Sequence, residues 1–223
     1  MNHYKLLTVF FAAYFLSAPS QAQTYLAANS IPPTLISAPL TKDSALWKEE
    51  VKAIIKLQKN ADKKEVEQAL LERHFDTEHF VHFFDENLTA QNYPKLHNLL
   101  NRTNSTSKEV TKYVKGFYNM QRPYQVDKNI KALIEGHTNP SYPSGHTCGS
   151  YVIAHILALL IPERRDEFYA GAEKIAQHRV LVGMHFQQDL KGGRELALLI
   201  VGGLSQNKDF QKDLAEAKVE LGK

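Results

Sequence analysis

His185 and Asp189 stand four residues apart, with Arg179 six residues upstream. Four is the spacing that puts two side chains on one face of a helix. A carboxylate so placed accepts the proton of one imidazole nitrogen and fixes the tautomer. The other nitrogen then keeps a lone pair with which to attack. Two further clusters complete an inventory. Pro143-Ser144-Gly145-His146 offers a hydroxyl, a glycine and a second imidazole, and Lys115-x6-Arg122-Pro123 offers two cations. A side-chain nucleophile, a second imidazole able to act as general acid, and cations suited to oxyanions together fit attack on a phosphoryl group. They include no evident metal box.

Each cluster has an ordinary reading when taken alone. His185 and Asp189 could be a surface helix pair, Ser144 or Thr147 a helix cap, and Lys115 with Arg122 a solvated basic face. The site reading therefore depends on the elements that must bring the three together. The Ser144–Gly145 turn lies near the start of an apolar helix expected over Thr147 to Ile161. Backbone N–H groups at such a terminus attract an anion, and Gly145 permits close approach. Lys115 and Arg122, seven apart, are expected on one face of a helix that Pro94 opens and Pro123 ends. The polar stretch Asn101 to Ser107 leaves open whether that helix bends or breaks. Arg179 is expected near the end of a helix over Glu163 to Val182, with Gly183 as its stop.

Other helices follow from 3.6-residue spacing. One starts at Ser44 and carries Trp47, Val51, Ile54 and Ile55. One is capped by Asp62 and carries Val66, Ala69, Leu70 and Arg73. Leu96, Leu99, Leu100, Val110, Val114 and Phe117 supply the apolar face of the Pro94 helix. Helices over Asp189 to Leu204 and Asn207 to Leu221 close the chain, and residues 124–142 read as a long loop. No run alternates with period two. The expectation is an all-α, single-domain helical bundle over residues 23–223, with the site at the ends of its central helices and an extended N-terminal arm over 23–43.

Residues 1–22 read as a signal peptide. Lys5 precedes an apolar run from Leu6 to Leu16, and Ser20 and Ala22 mark a small-residue cleavage region. The run is shorter than the ~20 residues of a spanning helix. The expectation is a periplasmic or secreted protein cleaved near Ala22, without stable membrane insertion. The net charge is +3, and loss of the single Lys and no acid in residues 1–22 makes it +2. That balance argues against nucleic acid as a partner. Cys148 is the only cysteine, so no intrachain disulfide forms, and its reading is a small buried residue. His74, His79 and His82 lack the spacing of a metal box. Tyr118, Tyr124 and Tyr142 flank the clusters, as pocket walls or as packing.

In order and spacing the clusters resemble the three-part signature of the type 2 phosphatidic acid phosphatase superfamily, K-x6-R-P, P-S-G-H and S-R-x5-H-x3-D. The runs Ser141-Tyr142-Pro143-Ser144-Gly145-His146-Thr147 and Gly183-Met184-His185-Phe186-Gln187-Gln188-Asp189 are similar to its soluble branch, the bacterial class A nonspecific acid phosphatases. His178 stands where the pattern has serine. The resemblance implies an all-helical bundle and a cofactor-free acid phosphatase with a broad range of small phosphate monoesters. It implies His185 as nucleophile forming a phosphohistidine, Asp189 orienting it, and His146 protonating the leaving oxygen. Lys115, Arg122, Ser144, Gly145 and Arg179 would hold phosphate. The alternatives are a lipid phosphate or lipid pyrophosphate phosphatase, and a vanadate-dependent haloperoxidase using the same pocket. A phosphotransferase side activity and a homo-oligomer stay open.

Overall fold

The structure, a computed structural model, describes residues 23–135 and 138–223. The expected signal peptide lies outside the described residues. Among these the chain is all helical. The α-helices are α1 (Ala45–Lys59), α2 (Lys63–Leu71), α3 (Thr77–His82), α4 (Pro94–Tyr118), α5 (Pro123–Val126), α6 (Gly145–Leu160), α7 (Arg165–Leu181), α8 (Gln187–Ser205) and α9 (Lys208–Glu220).

Helix α6 is the axis of the bundle. It is apolar on nearly every side, and α4, α7 and α8 pack around it while α9 covers α4. Val152, Ile153, Ala154, Ile156 and Leu157 of α6 are fully buried. α1 and α2 lie on α7, and α3 on α4. The N-terminal arm carries one 3-10 turn, Pro33–Leu35, and hydrogen-bonded turns closed by Ser30 and Ser44. It is sewn to the bundle: Tyr25 Oη donates to Asp213 Oδ2 at 2.6 Å, and the Ser37 N–H donates to Glu195 Oε2 at 2.7 Å.

Local rules set most helix starts. Ser44, Asp62 and Asn207 each accept a backbone N–H from the first turn of the helix they precede. α4 runs unbroken through Asn101 to Ser107. Thr103, Asn104, Thr106 and Ser107 are buried there, small polar residues that let α4 approach its neighbours. Asn119 then takes a left-handed conformation (φ 47°) and closes the helix, its N–H returning to Lys115 O at 2.9 Å. Two expectations fail here. Phe117 lies on the solvent face of α4, 59% exposed. Arg122 is not on α4 at all: it is extended (φ −80°, ψ 158°), as the residue before a proline tends to be. The loop expected over 124–142 contains the short helix α5 at its start.

Candidate active site

The turn between α7 and α8 carries the first group. α7 ends at Leu181, and Gly183 adopts φ 75°, a conformation only glycine reaches without strain. A Cβ there would also meet Lys131 O at 2.3 Å. The chain folds back so that the Met184 and His185 N–H groups donate to Arg179 O at 3.0 and 3.2 Å. His185 therefore precedes α8 rather than sharing its face with Asp189, as the four-residue spacing suggested. The two still meet. Asp189, in the first turn of α8, accepts the Phe186 N–H on Oδ2 at 3.0 Å, and the same oxygen accepts His185 Nδ1–H at 3.0 Å. Ser141 Oγ also donates to it, at 2.5 Å.

The second group is the start of α6. Ser144 accepts the Thr147 N–H on Oγ at 3.3 Å and caps the helix. Its hydroxyl, expected to hold phosphate, is fully buried in that first turn. Its own N–H donates to Asp189 O at 2.9 Å and ties this turn to the α8 turn. The Gly145 N–H has no partner among the described residues. It is one of the open donors every helix start leaves. His146 Nε2–H donates to the Glu72 carbonyl oxygen at 3.0 Å.

The third group reaches in from the end of α4 and the chain beyond it. Lys115 Nζ donates to Pro140 O and Ser141 O at 2.6 and 2.7 Å. Arg122 is clamped by Asn139: its Nε donates to Asn139 O at 3.1 Å and its Nη2 to Asn139 Oδ1 at 2.8 Å. Its Nη1 donates to Met184 O at 2.9 Å and lies 3.2 Å from His185 Nε2. With Nδ1–H given to Asp189, Nε2 bears the lone pair.

One cavity of about 90 Å³ collects Lys115, Arg122, Gly145, His146, Arg179 and His185 on its walls. Ser144 and Asp189 stand behind them. Arg179 is 1% exposed. Its Nη2 donates to Ala69 O at 2.8 Å and to Glu72 Oε2 at 3.3 Å, while its Nε and Nη1 have no partner among the described residues. Tyr142 is no wall of this cavity. It is packed in the core against Tyr118 at 5.0 Å, and a Cβ at Gly192 of α8 would strike its ring at 2.4 Å.

The electrostatics are those of a cation pocket short of anions. Burial, and then Arg122, push the Lys115 ammonium down to about 7. Burial also pushes the Asp189 carboxyl up to about 6, against the hydrogen bonds from Ser141 and Phe186. The His185 imidazole is held well below its ordinary value, first by burial and then by Arg122 and Lys115. It is therefore neutral, the form that can attack.

Glu72 gave no signal as a site residue in the sequence, and Ser141 entered only as part of the run that leads to His146. Glu72 follows α2 and accepts His178 Nδ1–H at 2.8 Å beside Arg179. The one hint was His178 itself, an imidazole at a serine position and in need of a carboxylate. No group of three or more His, Cys, Asp or Glu side chains among the described residues is placed to hold a metal ion. No described helix is long and apolar enough to cross a membrane.

Residues 103–212 match the PAP2 superfamily. The chain is similar to the non-specific acid phosphatase of Providencia stuartii, with 32% identity over 149 residues, 65% of this chain and 60% of that protein. The non-specific acid phosphatase of Salmonella typhimurium is 32% identical over 115 residues, 50% of this chain and 46% of that one. The acid phosphatase of Zymomonas mobilis is 30% identical over 142 residues, 61% and 53% of the respective chains. The chain thus spans about half to three fifths of the length of these curated relatives. Two solved structures share the fold. A bacterial vanadium-dependent iodoperoxidase superposes with a TM-score of 0.56 at 17% identity, covering 83% of this chain and 54% of that one. A transmembrane PAP2-type phosphatidylglycerolphosphate phosphatase from Bacillus subtilis gives 0.50 at 20% identity, covering 72% and 87%.

Proposed function

This chain carries a PAP2 superfamily domain, and we propose that it is an acid phosphatase that hydrolyses small phosphate monoesters through a phosphohistidine on His185. The carrying observation is Arg179, a buried guanidinium with two nitrogens unpartnered among the described residues, on the wall of a cavity that also holds Lys115 and Arg122. Buried donors of this strength are costly to leave open, and a tetrahedral oxyanion satisfies them. The similarity to non-specific acid phosphatases supports the choice of reaction.

The chemistry follows from the placement of each group. His185 Nε2 attacks phosphorus as the P–O bond to the leaving group breaks, and His146 gives its proton to the departing oxygen. Asp189 keeps Nδ1 protonated and stabilises the cationic ring of the intermediate. Lys115, Arg122, Arg179 and the Gly145 N–H hold the non-bridging oxygens as charge shifts among them. A water then attacks the phosphohistidine, with His146 taking its proton. An alcohol in place of water gives phosphotransfer. His146 must start protonated and His185 neutral, which sets an acidic working range. Residues 1–22 export the protein, and the reaction takes place in the periplasm or outside the cell.

A colorimetric assay with an aryl phosphate at acidic pH tests this reading. Turnover should persist in EDTA and stop with orthovanadate, which copies the trigonal transferring group. Loss of turnover in EDTA, or indifference to vanadate, would remove the proposal.

A further inference from the structure

A larger cavity adjoins the catalytic one. A space of about 340 Å³ shares Lys115, Asn139, Gly145 and His146 with it and extends outward along α4. His146 lines both. A leaving group that takes its proton from His146 thus has the outer space beside it. The character of that space bears on what the leaving group is.

Its α4 wall is a ladder of ammonium groups. Lys115, Lys112 and Lys108 are separated by three and four residues, so they share one face of the helix. At ~1.5 Å rise per residue, Lys112 lies about 4.5 Å and Lys108 about 10.5 Å along the axis from Lys115. Lys108 and Lys112 are exposed and make no ion pair among the described residues. Arg73 adds a further cation, although it is paired with Glu135. Glu109 is the single carboxylate lining the space. Below the lysines lies a second, independent feature. Asn104 is 7% exposed, lines the same space, and its buried Oδ1 has no partner among the described residues. Its amide makes no hydrogen bond among the described residues, although buried amides are ordinarily satisfied. A neutral alcohol gives such a wall nothing to bind. An anion with several oxygens engages the ammonium groups, and the P–OH of a phosphoryl group at acidic pH donates to Asn104 Oδ1.

We propose, resting on the phosphatase reading above, that the outer cavity is a subsite for a second phosphoryl group carried by the leaving group. In the step concerned, His185 Nε2 bonds to the first phosphorus. The bridging P–O bond breaks with its electron pair on the bridging oxygen, and that oxygen takes the His146 proton. With inorganic pyrophosphate the departing molecule is orthophosphate, beside Lys112. With a hexose bisphosphate the second phosphoryl lies a sugar's length away, beside Lys108.

Steady-state kinetics of the full chain tests this with p-nitrophenyl phosphate, inorganic pyrophosphate and a hexose bisphosphate. Both lysines are exposed, so Lys108→Ala, Lys112→Ala and the double variant should fold with unchanged Tm. The double variant should lose about tenfold in kcat/KM on both doubly phosphorylated substrates and change by less than about twofold on p-nitrophenyl phosphate, the scale of one charge-assisted contact on each doubly phosphorylated substrate. Lys112→Ala should account for the pyrophosphate loss, and Lys108→Ala for the bisphosphate loss. Equal losses on all three substrates, or no loss on any, overturn the subsite. If the unaltered chain hydrolyses none of the three, it is the phosphatase reading that fails. Calorimetric titration then decides the subsite alone. Tighter binding of pyrophosphate than of orthophosphate, lost in the double variant, supports it, and equal binding overturns it.

Discussion

His185 and His146 face one cavity but are held in different ways. The floor around His185 is set by the bundle core. Its imidazole, Asp189 and Ser141 are buried, and their hydrogen bonds lie within the α7–α8 turn or tie it to the segment before α6 and to the chain just past α4. The wall beside His146 belongs to the periphery. There the ring is anchored on the main-chain carbonyl of Glu72, just past α2. α2 packs chiefly on α7 and leaves Leu71 78% exposed. Both residues are thus placed by the core, but the ring of the acid also leans on the chain just past α2, a helix that can shift with less cost. Glu72 joins the two regions, since its carboxylate holds Arg179 and His178.

The comparison predicts unequal consequences. The largest is Asp189→Asn in the floor. It removes the acceptor that sets the His185 tautomer and should lower kcat by about four orders of magnitude, the scale for losing a carboxylate that orients a catalytic imidazole. Aryl and alkyl phosphates should suffer alike. A residual rate above about one tenth of the original would mean that the floor does not position the nucleophile as described.

Glu72→Gln in the wall should cost less in rate and more in stability. Arg179 loses its carboxylate and stays buried, which destabilises the fold by about 3 kcal/mol. One charged hydrogen bond misplaced lowers kcat/KM by roughly tenfold to a hundredfold. Phosphate should restore more stability to this variant than to the unaltered chain, because the ligand supplies the missing anion. Thermal melts with and without phosphate read this out, and equal gains would contradict it.

The smallest effect is in pH dependence. The Lys115 ammonium titrates at about 7 in the fold, below its ordinary 10.5, so its contribution to stability is present above 10.5 and is lost as pH falls to about 7. Asp189 titrates at about 6, above its ordinary 3.8, so its contribution is present below 3.8 and is lost as pH rises to about 6. The ligand-free protein should therefore have a minimum of Tm between these values. Lys115→Met should remove the alkaline side of that minimum and leave the acid side. A parallel profile in the variant would show that Lys115 is charged at neutral pH without cost.

How far the sequence foretold these regions follows the same division. The helices were legible because their caps and apolar spacing are local, as at Ser44, Asp62 and the α6 run. The three clusters were legible because short spacings survive in any fold that contains them. Their geometry was not. Arg122 leaves the helix because Asn119 turns it and Pro123 constrains the residue before it. His185 sits ahead of α8, because Gly183 must reverse the chain first. Glu72 lay hidden among the charges of an amphipathic stretch, more than a hundred residues from the arginine it holds.

The central claim, a covalent phosphoryl group on His185, is tested most directly by rapid acid-free quenching of the protein with a labelled phosphate ester, followed by peptide mapping. The account predicts one labelled peptide containing His185, stable in base and lost in acid, and no label in His185→Ala. Turnover with no label on His185, or label on another residue, would contradict it.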